Sequence, residues 1–397
     1  MKRRTLFATA VCAAGLLVAP GAFAQDVLRI GASAPKTGPL GGGGAVTHWP
    51  NIRLWMHEIN EAGGLQVGDR RMTIELIEYD DQTNPEIAIQ NIQRLATVDN
   101  VDFIVTPYST GINVATAPMI NQHGYPHITT SAATDGVVEF ARRWPNSFWM
   151  LGTASQLGEG VVQAFSQLRD AGDIGDRIAL VYVGDAFGQE LVTAAKPQLL
   201  EAGFDIVYEA SYPFGTQDVA PIVAAAKAAE PDGFIAFSYP GDTFALTEQA
   251  QIQGLEVGAF YTGVGTAFPG FRDRFGDASE GIMGIGGVNA EDPKVADYFA
   301  RHQEIAGSEP DYWASATTYA GLQVLAQAIE QTGSTDKAAV IETIKNGTFD
   351  TVIGTIDFID NVNPNVWTVG QWRDGKFVAV AADGISVGAD PVVKPAW

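Results

Sequence analysis

From Val27 to Thr262 the chain switches repeatedly between strand-like and helix-like hydrophobic periods, in two successive series. In the first, short apolar runs (Val27–Ile30, Met72–Tyr79, Asp102–Thr106, His127–Thr130) are separated by helical stretches. One of these carries Ile52, Trp55, Met56 and Ile59 at i, i+3, i+4 and i+7, and stops at Gly63-Gly64. Asn84-Pro85 opens the next, with Asn at the N-cap and Pro at N1. The second series begins near Gly152, with helices at Gln156–Ala171, Gly188–Ala202, Val219–Ala229 and Asp242–Gln253. Its strands are Arg177–Val183, Asp205–Tyr208, Gly233–Ser238 and Ala259–Thr262. Strands joined by crossover helices close into parallel sheets with helices on both faces. After Gly281 the order changes to three helices, Pro293–Ile305, Tyr312–Thr332 and Lys337–Asn346. Strand-like segments follow at Thr351–Ile359, Val366–Trp372 and Phe377–Ala381, the last two joined by an Asp374-Gly375 hairpin signal. The expectation is an α/β protein of two similar lobes, each a parallel sheet flanked by helices.

The 397 residues suffice for such lobes, and 46% hydrophobic with 18% charged residues excludes a disordered or coiled-coil chain. A net charge of −22 makes nucleic acid and anionic membranes poor partners. The single cysteine, Cys12, excludes a disulfide within the chain. Lys2, Arg3 and Arg4, the apolar run Leu6–Ala19 and Ala22-Phe23-Ala24 together read as a cleaved export signal over residues 1–24. Gln25 would begin a mature chain with no cysteine and no lipid anchor, placed in the periplasm of a Gram-negative cell.

Catalytic motifs are missing from the sequence. There is no G-x-S-x-G elbow, and Gly41–Gly44 lacks the Lys and hydroxyl of a phosphate loop, so it reads as a flexible loop closing over something. Gly263-Val264-Gly265 is too short for a dinucleotide fingerprint. His123 and His127 are four apart, but Gly124 and Pro126 break any helix between them, so no metal site is expected. Asp80-Asp81, between a strand and an N-cap, reads as turn capping. No cofactor and no enzymatic activity are expected.

Four segments carry a resemblance: Gly31-Ala32 through Thr37-Gly38-Pro39 with the helix ending Glu58–Gly64; Glu78–Pro85; Thr129–Thr134; and Gly276–Gly281. In this order they resemble the Leu/Ile/Val-binding-protein family of periplasmic substrate-binding proteins for ABC importers, the type I periplasmic binding proteins. The resemblance covers essentially the whole mature chain. It implies two α/β lobes joined by three hinge crossovers, near Met150–Thr153, Gly281–Gly286 and Val366–Gln371, with ligand held in the cleft. Lobe 1 would be residues 25–151 with 285–366, and lobe 2 residues 152–284 with 367–397. It further implies a monomer that delivers its small-molecule ligand to the transmembrane subunits of an ABC permease.

Ligands of open α/β sheets bind beyond the carboxyl ends of strands. Two such loops, Pro107–Gly111 and Ser131–Thr134, are rich in small hydroxyl residues and precede helices, which suits an anion. The same residues could simply cap helices. The resemblance implies that Ser109, Ala132 through its backbone and Thr134 hold a ligand carboxylate, with Tyr108 and Thr110 in the same loop. It places Phe187 at an aromatic wall and Tyr239 at or beside a contact. At Val264, amino-acid-binding relatives carry an acid that pairs with the ligand ammonium. The absence of that acid points to a small organic acid, aromatic carboxylates included, because a buried unpaired ammonium is costly. Asp185 or Asp242 could supply the missing charge, which leaves a branched-chain amino acid or amide receptor open. A ligand-sensing subunit of a signalling system is a further alternative. His48 and Trp49, after the glycine run, are candidate cleft residues or the start of a buried helix face, and Tyr312-Trp313 is a weaker candidate.

Overall fold

The computed structural model describes residues 26–397. The export-signal reading, with Cys12 and the start at Gln25, lies outside the described residues. The chain first lays down β1 (Asp26–Ala34), α1 (Gly41–Thr47), α2 (Trp49–Glu61), β2 (Leu65–Val67), β3 (Arg70–Asp80) and α3 (Pro85–Thr97). Then come β4 (Phe103–Val105), α4 (Thr110–Gln122), β5 (His127–Thr129), α5 (Val137–Arg143) and β6 (Ser147–Trp149). The second series is α6 (Ala154–Asp170), β7 (Arg177–Val183), α7 (Ala186–Glu201), β8 (Asp205–Tyr212), α8 (Ala220–Ala228) and β9 (Gly233–Phe237). It continues through α9 (Pro240–Gln253), β10 (Ala259–Thr262), α10 (Pro269–Phe275) and β11 (Ile282–Gly284). The last part holds α11 (Pro293–Ala306), α12 (Ala314–Thr332), α13 (Lys337–Asn346), β12 (Phe349–Thr351), β13 (Gly354–Ile356), β14 (Val366–Arg373) and β15 (Lys376–Asp383).

Two sheets result. The first has strand order β2-β3-β1-β4, with the parallel pair β5-β6 beside it, where Thr106 Oγ1 donates to the Ile128 carbonyl at 2.8 Å. The second has order β15-β14-β11-β10-β9-β7-β8. Its strands from β8 to β11 are parallel, and β14 and β15 close one edge antiparallel. Every residue of β9 is buried, as a parallel strand covered on both faces requires. Local chemistry sets the boundaries. Asn84 Oδ1 accepts the Glu86 and Ile87 N–H groups, and Thr153 forms a reciprocal capping box with Gln156. Asp374 and Gly375 both adopt positive φ, +50° and +76°, at the hairpin between β14 and β15.

Each sheet has its own core. Leu28, Ile30, Ile52 and Phe103 pack with Val324 and Val340 from far along the chain. Ile178, Phe234, Phe260 and Ile282 pack with Val369 and Val380. The chain therefore passes between the cores after β6, after β11 and within β14, where Trp367 belongs to the first core and Val369 to the second.

Two expectations are corrected. Gly41–Gly44 is not a loop but most of α1. Its glycines serve close approach: a Cβ on Gly43 would stand 2.5 Å from Tyr108 Oη, and one on Gly44 2.3 Å from the Pro35 carbonyl oxygen. Thr351–Ile359 is not one strand, because Gly354 at φ +100° turns the chain and pairs β12 with β13 instead.

Candidate functional site

In a doubly wound sheet, the loops on either side of the point where strand order reverses part and leave a crevice. The reversal falls between β1 and β4 in the first sheet and between β7 and β9 in the second. The loops after β4, β7 and β9 bring Tyr108, Ser109, Phe187 and Tyr239 to one cavity, joined by Ser131 and Ala133 after β5 and Val264 after β10. Leu151, Trp313 and Ala314 complete the lining. The cavity is small, and Tyr108 and Ala133 from one side pack in the same buried cluster as Phe187 and Tyr239 from the other. At its edge the Asp135 carboxylate accepts from Ser155 N at 2.9 Å and Ser155 Oγ at 2.7 Å. Leu40, from the loop before α1, is buried in the core of the second sheet.

The first wall is built of hydroxyls and a helix start. Ser109 is the N-cap of α4 and sits at φ +84°, ψ +153°, a region that only glycine enters freely. Such a conformation costs on the order of 1–3 kcal/mol and persists only where surrounding bonds enforce it. Its N–H donates to Ser131 Oγ at 3.2 Å, and Ser131 Oγ donates to the Pro107 carbonyl at 3.2 Å. The opposite wall is aromatic. Phe187 and Tyr239 stack with ring centroids 4.9 Å apart and planes at 30°, an arrangement worth about 0.5–1.5 kcal/mol beyond its buried area. Asp185 caps α7 through Gly188 N at 3.2 Å, which fixes where Phe187 emerges.

Neither Asp185 nor Asp242 is among the lining residues of the cavity. Asp185 Oδ2 accepts from the Tyr239 hydroxyl at 3.0 Å, and Asp242 Oδ2 from the Tyr212 hydroxyl at 3.3 Å. Burial raises the pKa of both, Asp242 to about 6, and the two repel each other. Asp311, also buried and raised by burial, spends its oxygens on the Ala314 and Ser315 N–H groups at 3.0 and 2.6 Å. Burial likewise pushes the Tyr108 and Tyr239 hydroxyls above the usual phenol range, so both remain protonated. No acidic, basic or imidazole side chain is among the cavity's lining residues.

Of the ten residues expected at the site, Tyr108, Ser109, Phe187, Tyr239 and Val264 line the cavity. Thr110 stands just behind, its Oγ1 accepting from Ala133 N at 3.3 Å. Ala132 and Thr134 are fully buried in the neighbouring loop, where Thr134 Oγ1 accepts from Gly136 N at 3.0 Å. Two cleft candidates are placed elsewhere. His48 is buried edge-on to Tyr108, centroids 5.4 Å apart, and burial lowers its pKa to about 4. Trp49 belongs to the first core, its indole N–H donating to the Pro35 carbonyl at 3.2 Å under the Lys36 ammonium. It lies one turn before Ile52, on the same apolar face of α2, which is why it turns inward. Reasoning from sequence missed Ser131, Ala133, Leu151 and Ala314 as lining residues and ranked Trp313 low. Only Ser131 and Ala133 had a signal, as members of the hydroxyl-rich loop.

The model of the family described as Periplasmic binding protein matches residues 27–376. Leu/Ile/Val-binding protein homolog 7 of Brucella melitensis is 26% identical over 390 residues, 94% of this chain and 95% of that one. A solute-binding protein of an ABC transporter from Rhodopseudomonas palustris BisB5, solved in complex with 3,4-dihydroxybenzoic acid, superposes with a TM-score of 0.77. It is 21% identical, covering 94% of this chain and 99% of that one. The branched-chain amino acid transporter substrate-binding protein LivJ of Streptococcus pneumoniae, in complex with isoleucine, gives a TM-score of 0.76 at 20% identity, covering 93% and 100%. With the family match running over residues 27–376, from β1 through β14, the chain belongs to the periplasmic binding protein family.

Proposed function

We propose that this protein is the periplasmic receptor of an ABC importer for a small organic acid without an ammonium group, aromatic carboxylates included. The observation that carries the reading is the cavity's division of labour: neutral donors on one wall, stacked rings on the other, and no carboxylate among the lining residues. The ligand carboxylate would lie against Ser109, the Ala132 N–H, Thr134 and the start of α4, where the helix dipole favours negative charge. Phe187 and Tyr239 would cover its apolar face, with Tyr108, Thr110 and Val264 shaping the sides. Lobe 1 (25–151 with 285–366) and lobe 2 (152–284 with 367–397) would part to admit ligand and close to present both tips to the permease, the protein acting as a monomer. A micromolar ligand needs roughly −8 kcal/mol, within reach of a few charge-assisted hydrogen bonds and one stacked ring.

The isoleucine-bound relative favours a second reading, a branched-chain amino acid or amide receptor. It requires Asp185 or Asp242 to leave its tyrosine partner and meet the ammonium. Isothermal calorimetry with benzoate, 4-hydroxybenzoate, branched-chain keto acids, leucine, isoleucine and short amides separates the two. Binding of aromatic or keto acids supports the first reading, and binding of leucine or isoleucine alone overturns it.

A further inference from the structure

A directed chain of buried hydrogen bonds runs through lobe 1 to the strained residue at the cavity. The Asn121 amide donates to Ser147 Oγ at 3.2 Å, and Ser147 Oγ lies 2.9 Å from His127 Nδ1. His127 Nε2 lies 3.1 Å from Asn113 Oδ1. The Asn113 amide nitrogen donates to the Pro107 and Ser109 carbonyls, each at 2.8 Å, and stands 3.4 Å from Ser131 Oγ. Two carbonyl acceptors around one atom identify it as the nitrogen, so Oδ1 must accept from His127. His127 is therefore the neutral Nε2–H tautomer, with Nδ1 accepting from Ser147. Both Asn113 and His127 are fully buried, and burial holds the imidazole uncharged, its pKa lowered to about 3.

The carbonyls gripped by Asn113 flank the residue at φ +84°. We propose that Asn113, oriented by His127, is a positioning residue that holds Ser109 in its strained conformation, turning the Ser109 hydroxyl and the first N–H groups of α4 into the cavity. The proposal rests on the reading that this loop holds a ligand carboxylate.

The test combines crystallography with benzoate and isoleucine titrations of the purified chain. In Asn113→Leu, Ser109 should leave the positive-φ region, and Kd for whichever carboxylate binds should rise at least tenfold. In a Ser109→Gly background, where φ +84° is free of strain, Asn113→Leu should change Kd less than threefold. His127→Gln keeps a donor to Oδ1 and should retain both the Ser109 conformation and the affinity, whereas His127→Leu should lose both. Ser109 remaining at φ +84° in Asn113→Leu, or the same fold-change in both backgrounds, overturns the proposal, because a merely structural amide behaves that way. If Asn113→Leu does not fold, the two His127 variants decide, and equal behaviour overturns it. If neither probe binds the unaltered chain, the titrations use whichever acid of the calorimetric panel does; if none binds, the carboxylate reading fails on its own, and the crystallographic comparison still decides the role of Asn113.

Discussion

The glycine run that opens α1 offers a graded test of why those residues are glycine. Replacing glycine by alanine in a helix gains about 1 kcal/mol when the added methyl meets nothing. Gly42 is exposed with no atom within 4 Å of its Cβ position, so Gly42→Ala should stabilise by up to about that amount, on the order of 2 °C in Tm. At Gly43 the methyl would stand 2.5 Å from Tyr108 Oη and 2.7 Å from Cζ, so the tyrosine must shift. Overpacking costs about 1–3 kcal/mol, which offsets the helical gain and leaves a net change between about 0 and −2 kcal/mol. Tyr108 lines the cavity, so Gly43→Ala should also weaken ligand binding while the fold survives. At Gly44 the methyl would stand 2.3 Å from the Pro35 carbonyl oxygen, a backbone atom that cannot swing aside. Gly44→Ala should therefore be the worst of the three, losing at least about 2 kcal/mol as α1 is forced off the end of β1. Urea melts of the three variants, followed by calorimetry on those that fold, read out this order. Equal stability for all three, the behaviour of a flexible loop, would refute the packing argument.

Val264→Glu should reduce carboxylate affinity more than about 100-fold in calorimetry, because two buried like charges cost several kcal/mol; unchanged affinity would place Val264 outside the site. Thr134→Ala should weaken a carboxylate ligand by about 1.5–3 kcal/mol, as for a hydrogen bond to a charged group; an unchanged Kd would remove Thr134 from the cradle. The pKa of His127 lies near 3 in the folded chain against 6.5 ordinarily, so its contribution is complete above pH 6.5 and falls away as the solution is acidified. Between pH 7.5 and 4.5 that amounts to roughly 2–3 kcal/mol, and chemical unfolding of His127→Gln should show a pH-dependent loss smaller by that order. Asp242 acts in the opposite sense: with its pKa raised from 3.8 to about 6, it favours the folded state at low pH and loses that contribution as pH rises through 6. Asp242→Asn should accordingly remove a destabilisation that grows between pH 4 and 7.

Most of the two-lobe plan was legible because parallel strands and amphipathic helices write their periods directly into the sequence. Asn84-Pro85 and Asp374-Gly375 marked boundaries for reasons of local chemistry alone. What stayed hidden depends on distant partners. The glycines of α1 look like a loop until Tyr108 and the Pro35 carbonyl stand against them. Trp313 and Leu151 reach the cavity only because the chain crosses between lobes beside them. Trp49 could have been read correctly, since it shares a helix face with Ile52. The strain at Ser109 has no signature in an L-residue's name, and the polar relay behind it appears only when α4 packs beside β5 and β6.

The interleaving of the two cores bears on how the molecule is made. Asn51 and Glu58, both on α2, find partners in Tyr298 and Arg301, which emerge some 240 residues later. Wherever the chain folds, its opening quarter cannot complete its core until the segment carrying Tyr298 and Arg301 has joined it, so a truncation before α11 would strip α2 of partners far from the deleted residues.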